Sequence, residues 1–309
     1  MPVIQTPIRL FLYEDGAEGA SMNMLAARCL AEAVGTFILV FFGCGVVHAA
    51  VLTNAQSGLW QVAIVWGVAI MAAVYVVGGI SGAHINPAIT IAAAVWGKHP
   101  WHQVGPYILA QLTGAFIAAA ALFTLFSPFL LTRESENKVT RGQPGSEITA
   151  MCYGEYFPNP GLDATTKLYI AGETDKLRAL VSEPVAFGAE VIGTLLLALV
   201  VFAVTDERNN AAPQSRLAPV FIGLTVAILI SVIAPLTQAC FNPARDFGPR
   251  LFACVAGWGR VAIPGPSATG FFTVYIFAPI LGAVLGGGLY QRVLRTCLPP
   301  AIDERKTLE

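Results

Sequence analysis

The feature that most constrains this chain is the length of its stretches without a formal charge. Residues 33–97 contain no Asp, Glu, Lys or Arg, and residues 261–291 repeat that pattern. A helix needs about 20 apolar residues to cross a bilayer core, so these stretches predict several membrane crossings. The alternative is a soluble protein with buried helices. It is disfavoured because only 12% of the 309 residues are charged, against about a quarter in ordinary soluble domains.

Apolar runs of sufficient length predict six spans and therefore an all-α membrane protein. The spans are expected at 25–49, 60–80, 102–126, 184–204, 216–236 and 270–293. Two further apolar segments, 84–97 and 240–257, are too short to cross.

The two halves of the chain are related to each other. "AEAVGTF" at 31–37 recurs as "AEVIGTL" at 189–195, and "INPAIT" at 85–90 is answered by "FNPARD" at 241–246, at offsets that differ by two residues. Each half holds three spans, an odd number, so the second half is inverted relative to the first. Inverted repeats with short interrupted segments at matching positions point to a transport site near the bilayer midplane.

The repeat also predicts the organisation of the chain. The expected segments are a cytoplasmic tail (1–24), a membrane domain (25–295) composed of repeat one (25–126), an outer loop (127–182) and repeat two (183–295), and a second tail (296–309). Residues 51–59 carry no Lys or Arg, whereas residues 205–216 carry Arg208 and Arg216. The positive-inside bias therefore predicts both termini in the cytoplasm. The protein is expected to be a multi-pass protein of the plasma membrane, of the bacterial inner-membrane type.

Two Asn-Pro-Ala triplets predict helix starts in the middle of the membrane. Asn is a preferred N-cap residue and Pro is favoured at the first helical position. A helix of about 11 residues is about 16 Å long, half the thickness of the hydrocarbon core. Inverted symmetry then brings the two starts together at the pore centre. The residues concerned are Asn86, Pro87 and Ala88 in the first repeat and Asn242, Pro243 and Ala244 in the second.

The segments ahead of the triplets are expected to be non-helical and to line a pore, because irregular backbone at membrane depth is tolerated where it lines a cavity. Their carbonyl groups would form a ladder of acceptors, and the positive helix starts would repel cations. The residues whose carbonyl groups are predicted to line the pore are Gly82, Ala83, His84, Gln238, Ala239 and Cys240. The sequence thus indicates a narrow path for neutral, hydrogen-bonding solutes.

Glu32 and Glu190 are intramembrane acids at matching positions of the repeats. They could act as proton relays or as braces that accept backbone N–H groups from the non-helical segments, and the brace is favoured. His84 could sense pH, but we expect its carbonyl to matter more than its ring. The four His form no metal cluster, and the six Cys are interpreted as small hydrophobes. No metal, cofactor or nucleic acid is predicted.

The motifs carry a family resemblance. "SGAHINPAITIA", "NPARDFGPRLFA" and "GWG" at 257–259 resemble the major intrinsic protein family, the aquaporins and glycerol facilitators. They are most similar to its glycerol facilitator (aquaglyceroporin) branch, because water-selective members usually have a small residue in place of Asp246. The resemblance implies six helices with two half-helices, a pore in every subunit, and a homotetramer in membrane lipid.

The same resemblance implies an outer selectivity filter composed of Trp66, Ile230, Ala239 and Arg245. Arg245 would donate hydrogen bonds to a passing hydroxyl or water. Asp246 would support it, pointing toward a partner on the half-helix; the alternative is a surface ion pair between Arg245 and Asp246.

The filter departs from the glycerol facilitator pattern at two positions. Those proteins typically have Phe or Tyr where this chain has Ala239, and Gly where it has Ile230. The set here resembles the filter of the nodulin-like plant intrinsic proteins. The expected function is a passive channel for glycerol and similar small uncharged solutes that also passes water. A water-selective channel, or one for urea, ammonia or metalloid hydroxides, stays open. A coupled transporter and a membrane enzyme are disfavoured, because the predicted centre holds neutral amides and the chain has no phosphate-binding loop.

Overall fold

A computed structural model describes residues 21–56, 58–160, 180–267 and 269–299, and within these ranges every regular element is helical. In chain order the helices are α1 (Ser21–Thr53), α2 (Leu59–Ser81), α3 (Pro87–Val95), α4 (Trp101–Glu136), α5 (Glu147–Ala150), α6 (Glu183–Val204), α7 (Ala218–Thr237), α8 (Pro243–Ala253) and α9 (Gly270–Cys297). Helix α9 contains two π-helical stretches, Thr273–Phe277 and Tyr290–Leu294.

Six of these helices, α1, α2, α4, α6, α7 and α9, are long and apolar enough to cross a membrane. The predicted all-α fold with six spans is therefore confirmed. Helix α4 continues to Glu136, past the predicted end of the third span at residue 126. The last turns of α4 are stabilised by Leu130, which is fully buried in an apolar cluster with Ala150 and Trp258. Leu130 and Ala150 both belong to the segment predicted to be an outer loop.

The two short helices, α3 and α8, begin at Pro87 and Pro243. They contain 9 and 11 residues, which at about 1.5 Å per residue spans roughly half a hydrocarbon core. Gly97 follows the end of α3 in the left-handed region, with φ of 69°. Helix α8 leads into a π-helical turn, Cys254–Trp258, which includes Gly257 with φ of 110°. Each short helix thus ends a few residues before a glycine with left-handed backbone.

The helices pack in two matching sets. Helix α1 lies along α4 as α6 lies along α9, and the half-helices α3 and α8 lie against α9 and α4 respectively. Helices α2 and α7 join the two sets at the centre. They approach closely at Gly67 and Gly223, where a methyl group on either glycine would lie within 3.0 Å of the other's carbonyl oxygen. The sequence duplication is therefore also a duplication of packing.

The exterior of the helices is apolar and much of the interior is polar. Leu30, Leu109 and Val232 are 66%, 68% and 69% exposed, whereas Glu32 and Gln111 are fully buried. Exposed aliphatic side chains on long helices match a hydrocarbon surrounding, and buried acids in spans face protein partners or a cavity. A site that contacts polar solutes is therefore expected inside the helix bundle.

Gly286 of α9 allows that helix to lie against α6, and we expect Gly286→Ala to destabilise the bundle. A methyl group there would lie within 3.0 Å of the Leu195 backbone carbonyl, which cannot move aside as a flexible side chain could. Overpacking of this kind costs about 1–3 kcal/mol. The measurement is the thermal unfolding midpoint in detergent. Gly188→Ala is the matched control, since its methyl group would meet nothing within 4 Å; equal midpoints for the two variants would contradict the prediction.

Candidate functional site

Each Asn-Pro-Ala triplet starts a half-helix by capping it. Asn86 Oδ1 accepts a hydrogen bond from the Ala88 N–H at 2.9 Å, and Asn242 Oδ1 accepts one from the Ala244 N–H at 3.0 Å. Both Asn residues have extended backbone, as N-cap residues do. Pro87 and Pro243 occupy the first helical positions. The capping uses the amide oxygens and leaves both amide nitrogens available.

The two triplets meet through those amide nitrogens. Asn86 Nδ2 donates to the Phe241 carbonyl at 2.8 Å, and Asn242 Nδ2 donates to the Ile85 carbonyl at 2.8 Å. The bonds are reciprocal, since each Asn holds the segment that leads into the other. A side-chain amide has two N–H donors. Each Asn therefore keeps a second N–H in a fixed orientation at the point where the half-helices begin.

The segments ahead of the triplets are strained and braced. Ile85 and Phe241 have φ of 44° and 53°, and Ala83, Gln238 and Ala239 are also left-handed. Such residues cost about 1–3 kcal/mol each and persist where the surroundings hold them. Glu32 accepts backbone N–H groups from His84 and Ile85 at 2.9 and 2.7 Å, and Glu190 accepts those of Cys240 and Phe241 at 3.0 and 2.8 Å. This is the bracing pattern that the sequence predicts.

A cavity of about 60 Å³ lies beside the two Asn residues. Its polar part comprises Asn86 and Asn242 with the backbone segment Ala83, His84 and Ile85. Its apolar part includes Leu39, Val74, Leu197, Val201, Ile222 and Val226. Four other residues predicted to line the pore are not part of this lining: Gly82, Gln238, Ala239 and Cys240. Gly82 and Gln238 are left-handed caps at the ends of α2 and α7. The cavity is thus amphipathic.

The predicted filter residues lie about one helical turn beyond this cavity. Ile70 and Val74 of α2 line the cavity and Trp66 precedes them, while Val226 of α7 lines it and Ile230 follows. The structure brings Trp66 and Arg245 together, with the guanidinium carbon 4.4 Å from the centre of the Trp66 ring. Trp66, Ile230 and Ala239 share one buried cluster. All four predicted filter residues are buried, with 4–5% of their surface exposed.

Glu155, a residue that sequence reasoning missed, is the ion-pair partner of Arg245. Its Oε1 lies 2.6 Å from Arg245 Nη2, and its side chain is fully buried. Arg245 also donates to the Tyr153 carbonyl at 3.4 Å. A surface pair between Arg245 and Asp246 is therefore not what forms. The sequence does single out Glu155 as the one charged residue in 148–162, but no pattern around it points to Arg245.

Asp246 pairs with Arg250, one turn later on α8. The two contacts are 2.8 Å from Arg250 Nε to Asp246 Oδ2 and 2.7 Å from Arg250 Nη2 to Asp246 Oδ1. Asp246 Oδ1 also accepts the Glu155 N–H at 2.6 Å, and Arg250 donates to the Glu155 carbonyl. Gln238 Oε1 accepts the Tyr156 N–H at 2.7 Å. The loop around Glu155 is therefore attached to the second repeat and holds the carboxylate against Arg245.

A cluster of rings lies at the other end of the cavity. The His84 ring contacts the rings of His99 and Tyr107, with centroids 4.7 and 5.3 Å away, and its Nδ1 lies 3.1 Å from Thr90 Oγ1. His99 precedes α4 and lies outside the spans. Burial, followed by the positive charge of Arg28, lowers the pKa of His99 to about 4. His99 is therefore neutral at physiological pH, which weighs against pH sensing through this cluster.

Comparison with known proteins places this arrangement in a family. The family model described as "Major intrinsic protein" matches residues 19–290. The chain is 40% identical to a glycerol uptake facilitator protein of Pseudomonas aeruginosa, over 90% of this chain and 92% of that protein. It is 35% identical to the glycerol uptake facilitator protein of Escherichia coli K12, over 92% and 95%. It is 39% identical to a propanediol uptake facilitator of Citrobacter freundii, over 90% and 95%.

A solved structure supports the fold. The aquaglyceroporin from Plasmodium falciparum is similar with a TM-score of 0.71 and 24% identity, covering 87% of this chain and 97% of that one. The six spans and the match of the family model over most of the length make this a multi-pass membrane protein. This chain is a member of the major intrinsic protein family.

Proposed function

We propose that this protein is a passive channel for glycerol and similar small uncharged solutes, which also passes water and excludes protons and ions. The observation that carries the proposal is the reciprocal pair of Asn amides at the meeting point of two half-helices, beside an amphipathic cavity. The relatives named as glycerol and propanediol facilitators support the same solute class.

The cavity lining suits a polyol, whose hydroxyl groups and carbon chain lie on different edges. The amide N–H groups of Asn86 and Asn242 and the carbonyl groups of the braced segment can exchange hydrogen bonds with hydroxyls. Aliphatic residues such as Val74 and Leu197 can contact the carbon chain without a desolvation cost. An ion would lose its hydration shell here without charged ligands in return.

Cation and proton exclusion follows from the positive ends of α3 and α8. Each helix start carries the equivalent of roughly half a positive charge, and both starts face the pore centre. The fixed orientation of the Asn amides presents donors to a passing water and so interrupts a continuous proton-conducting chain.

A water-selective channel is the second candidate. Ile230 takes the place of the Gly of the glycerol facilitator pattern, and its larger side chain would narrow the proposed filter on the side of α7. Either function is non-enzymatic and needs no cofactor. We further propose a homotetramer in the lipid of a plasma membrane of the bacterial inner-membrane type, with both termini in the cytoplasm as the basic residues at 205–216 indicate.

Stopped-flow light scattering on purified protein in liposomes tests the proposed function. In a gradient of impermeant sugar we expect rapid shrinkage, and in a glycerol gradient shrinkage followed by rapid reswelling, because both water and glycerol cross. Shrinkage without accelerated reswelling would establish the water-selective channel instead. Rates equal to those of empty liposomes in both gradients would show that the proposal is wrong.

The filter assignment is tested by exchanging its two unusual residues. Ala239→Phe adds a ring to a buried position, and we expect the ratio of glycerol to water permeability to fall on the order of tenfold, equivalent to about 1.4 kcal/mol. The double variant Ile230→Gly and Ala239→Phe restores the glycerol facilitator pattern and should recover the ratio. A ratio that Ala239→Phe leaves unchanged, or that Ile230→Gly does not recover, would remove these residues from the filter.

We expect Glu155→Gln to lower glycerol permeability on the order of tenfold, because removing one charge of a buried ion pair costs about 3–5 kcal/mol. The Arg245 guanidinium then keeps the 3.4 Å contact to the Tyr153 carbonyl but loses its charged partner. Glu136→Gln is the control, since Glu136 is 52% exposed and its pair with Arg133 is 3.5 Å long. Permeability is normalised to folded protein by size-exclusion chromatography. Wild-type permeability in folded Glu155→Gln would show that Arg245 does not need its partner.

A further inference from the structure

Gly43 of α1 lies directly against the Trp66 ring. A methyl group at Gly43 would lie within 3.0 Å of Trp66 Cε3, Cζ3 and Cη2, closer than real Cβ atoms approach other atoms. These three atoms belong to the six-membered ring of the indole. The indole therefore occupies the space that any side chain at position 43 would need.

The Trp66 ring has little room to move away from a methyl group at position 43. It is 5% exposed, and the Arg245 guanidinium carbon lies 4.4 Å from its centre. Arg245 is itself held by Glu155 and by the Tyr153 carbonyl. An aromatic ring is rigid, so it can yield to a new methyl group at Gly43 only by shifting as a whole. Such a shift changes its position relative to Arg245.

Other glycines of α1 differ from Gly43 in what they face. A methyl group at Gly45 would meet only Leu122 Cδ2 at 3.3 Å, the movable end of a flexible side chain. One at Gly35 would meet methyl carbons of Ile85 and Val77. Gly43 is thus the α1 glycine that contacts a proposed filter residue.

We propose that Gly43 is a specificity-determining residue, whose missing side chain lets the Trp66 indole rest against α1 and thereby sets the bore at the filter. The inference rests on the proposed channel function and on the place of Trp66 in the filter. A methyl group at Gly43 moves the indole off α1 toward the permeation path. Glycerol, the wider solute, loses more permeability than water.

The test compares Gly43→Ala with wild type in liposomes, measuring glycerol and water permeability for each. We expect the glycerol-to-water ratio to fall about fivefold or more, as for an overpacking cost at the low end of the usual range. Gly45→Ala, on the same helix, is the matched control and should keep the ratio within about twofold of wild type. A ratio change measures selectivity, whereas a merely structural effect lowers both permeabilities together by reducing the folded fraction.

A second pair of variants isolates the contact. Trp66→Phe removes the bulk of the indole six-membered ring, so Gly43→Ala has little left to displace. In the Trp66→Phe background we expect Gly43→Ala to change the ratio by less than about twofold, which is the non-additivity of residues in contact. The same fall in both backgrounds would overturn the inference, as would an unchanged ratio in Gly43→Ala.

The outcomes separate the inference from the proposed function. Wild-type protein that passes water but not glycerol would refute the glycerol channel alone. The inference would then be judged on water permeability, which Gly43→Ala should lower in the wild-type background and leave unchanged with Trp66→Phe. Failure of that pattern would overturn it.

Discussion

Two buried carboxylates make the centre of this protein possible. Glu32 and Glu190 accept hydrogen bonds from backbone N–H groups of the non-helical segments ahead of the triplets. These N–H groups lie inside a membrane bundle, where bulk water is not at hand to accept from them. Without these acceptors the segments would leave buried donors unpaired, at a cost of about 1–3 kcal/mol each. The left-handed residues Ile85 and Phe241 depend on the same bonds. Once the segments are held, the Asn amides reach across and the half-helices begin at the same point.

The two repeats share this frame but differ just after it. The residue that corresponds to Arg245 in the first repeat is Ile89, which lines the apolar part of the cavity. The second repeat has a charge there, and a charge buried in the bundle needs a partner. The segment between α5 and α6 supplies Glu155, and the backbone around Glu155 is fixed by Asp246, Arg250 and Gln238.

Much of the fold and of the pore centre could be predicted, because the signals are local or repeated. The six spans follow from apolar length, and the caps at Asn86 and Asn242 follow from the preference for Asn before Pro. The partner of Arg245 could not be predicted in the same way. Glu155 lies 90 residues before Arg245 in the chain, and nothing in the local pattern around either residue specifies the other. The extension of α4 was missed for the same reason, since Leu130 is held by Ala150 and Trp258.

The sequence by itself determined the membrane class, the inverted duplication, the two half-helix starts and the paired braces, because hydrophobic length and capping preference act over a few residues. Only the tertiary structure decided which acid pairs with Arg245, that the Arg245 guanidinium lies over the Trp66 ring, and that Gly43 lies against the same ring. These depend on distances between helices that are far apart in the chain. A change of an ångström in such a distance alters the bore and leaves no trace in the local pattern of residues.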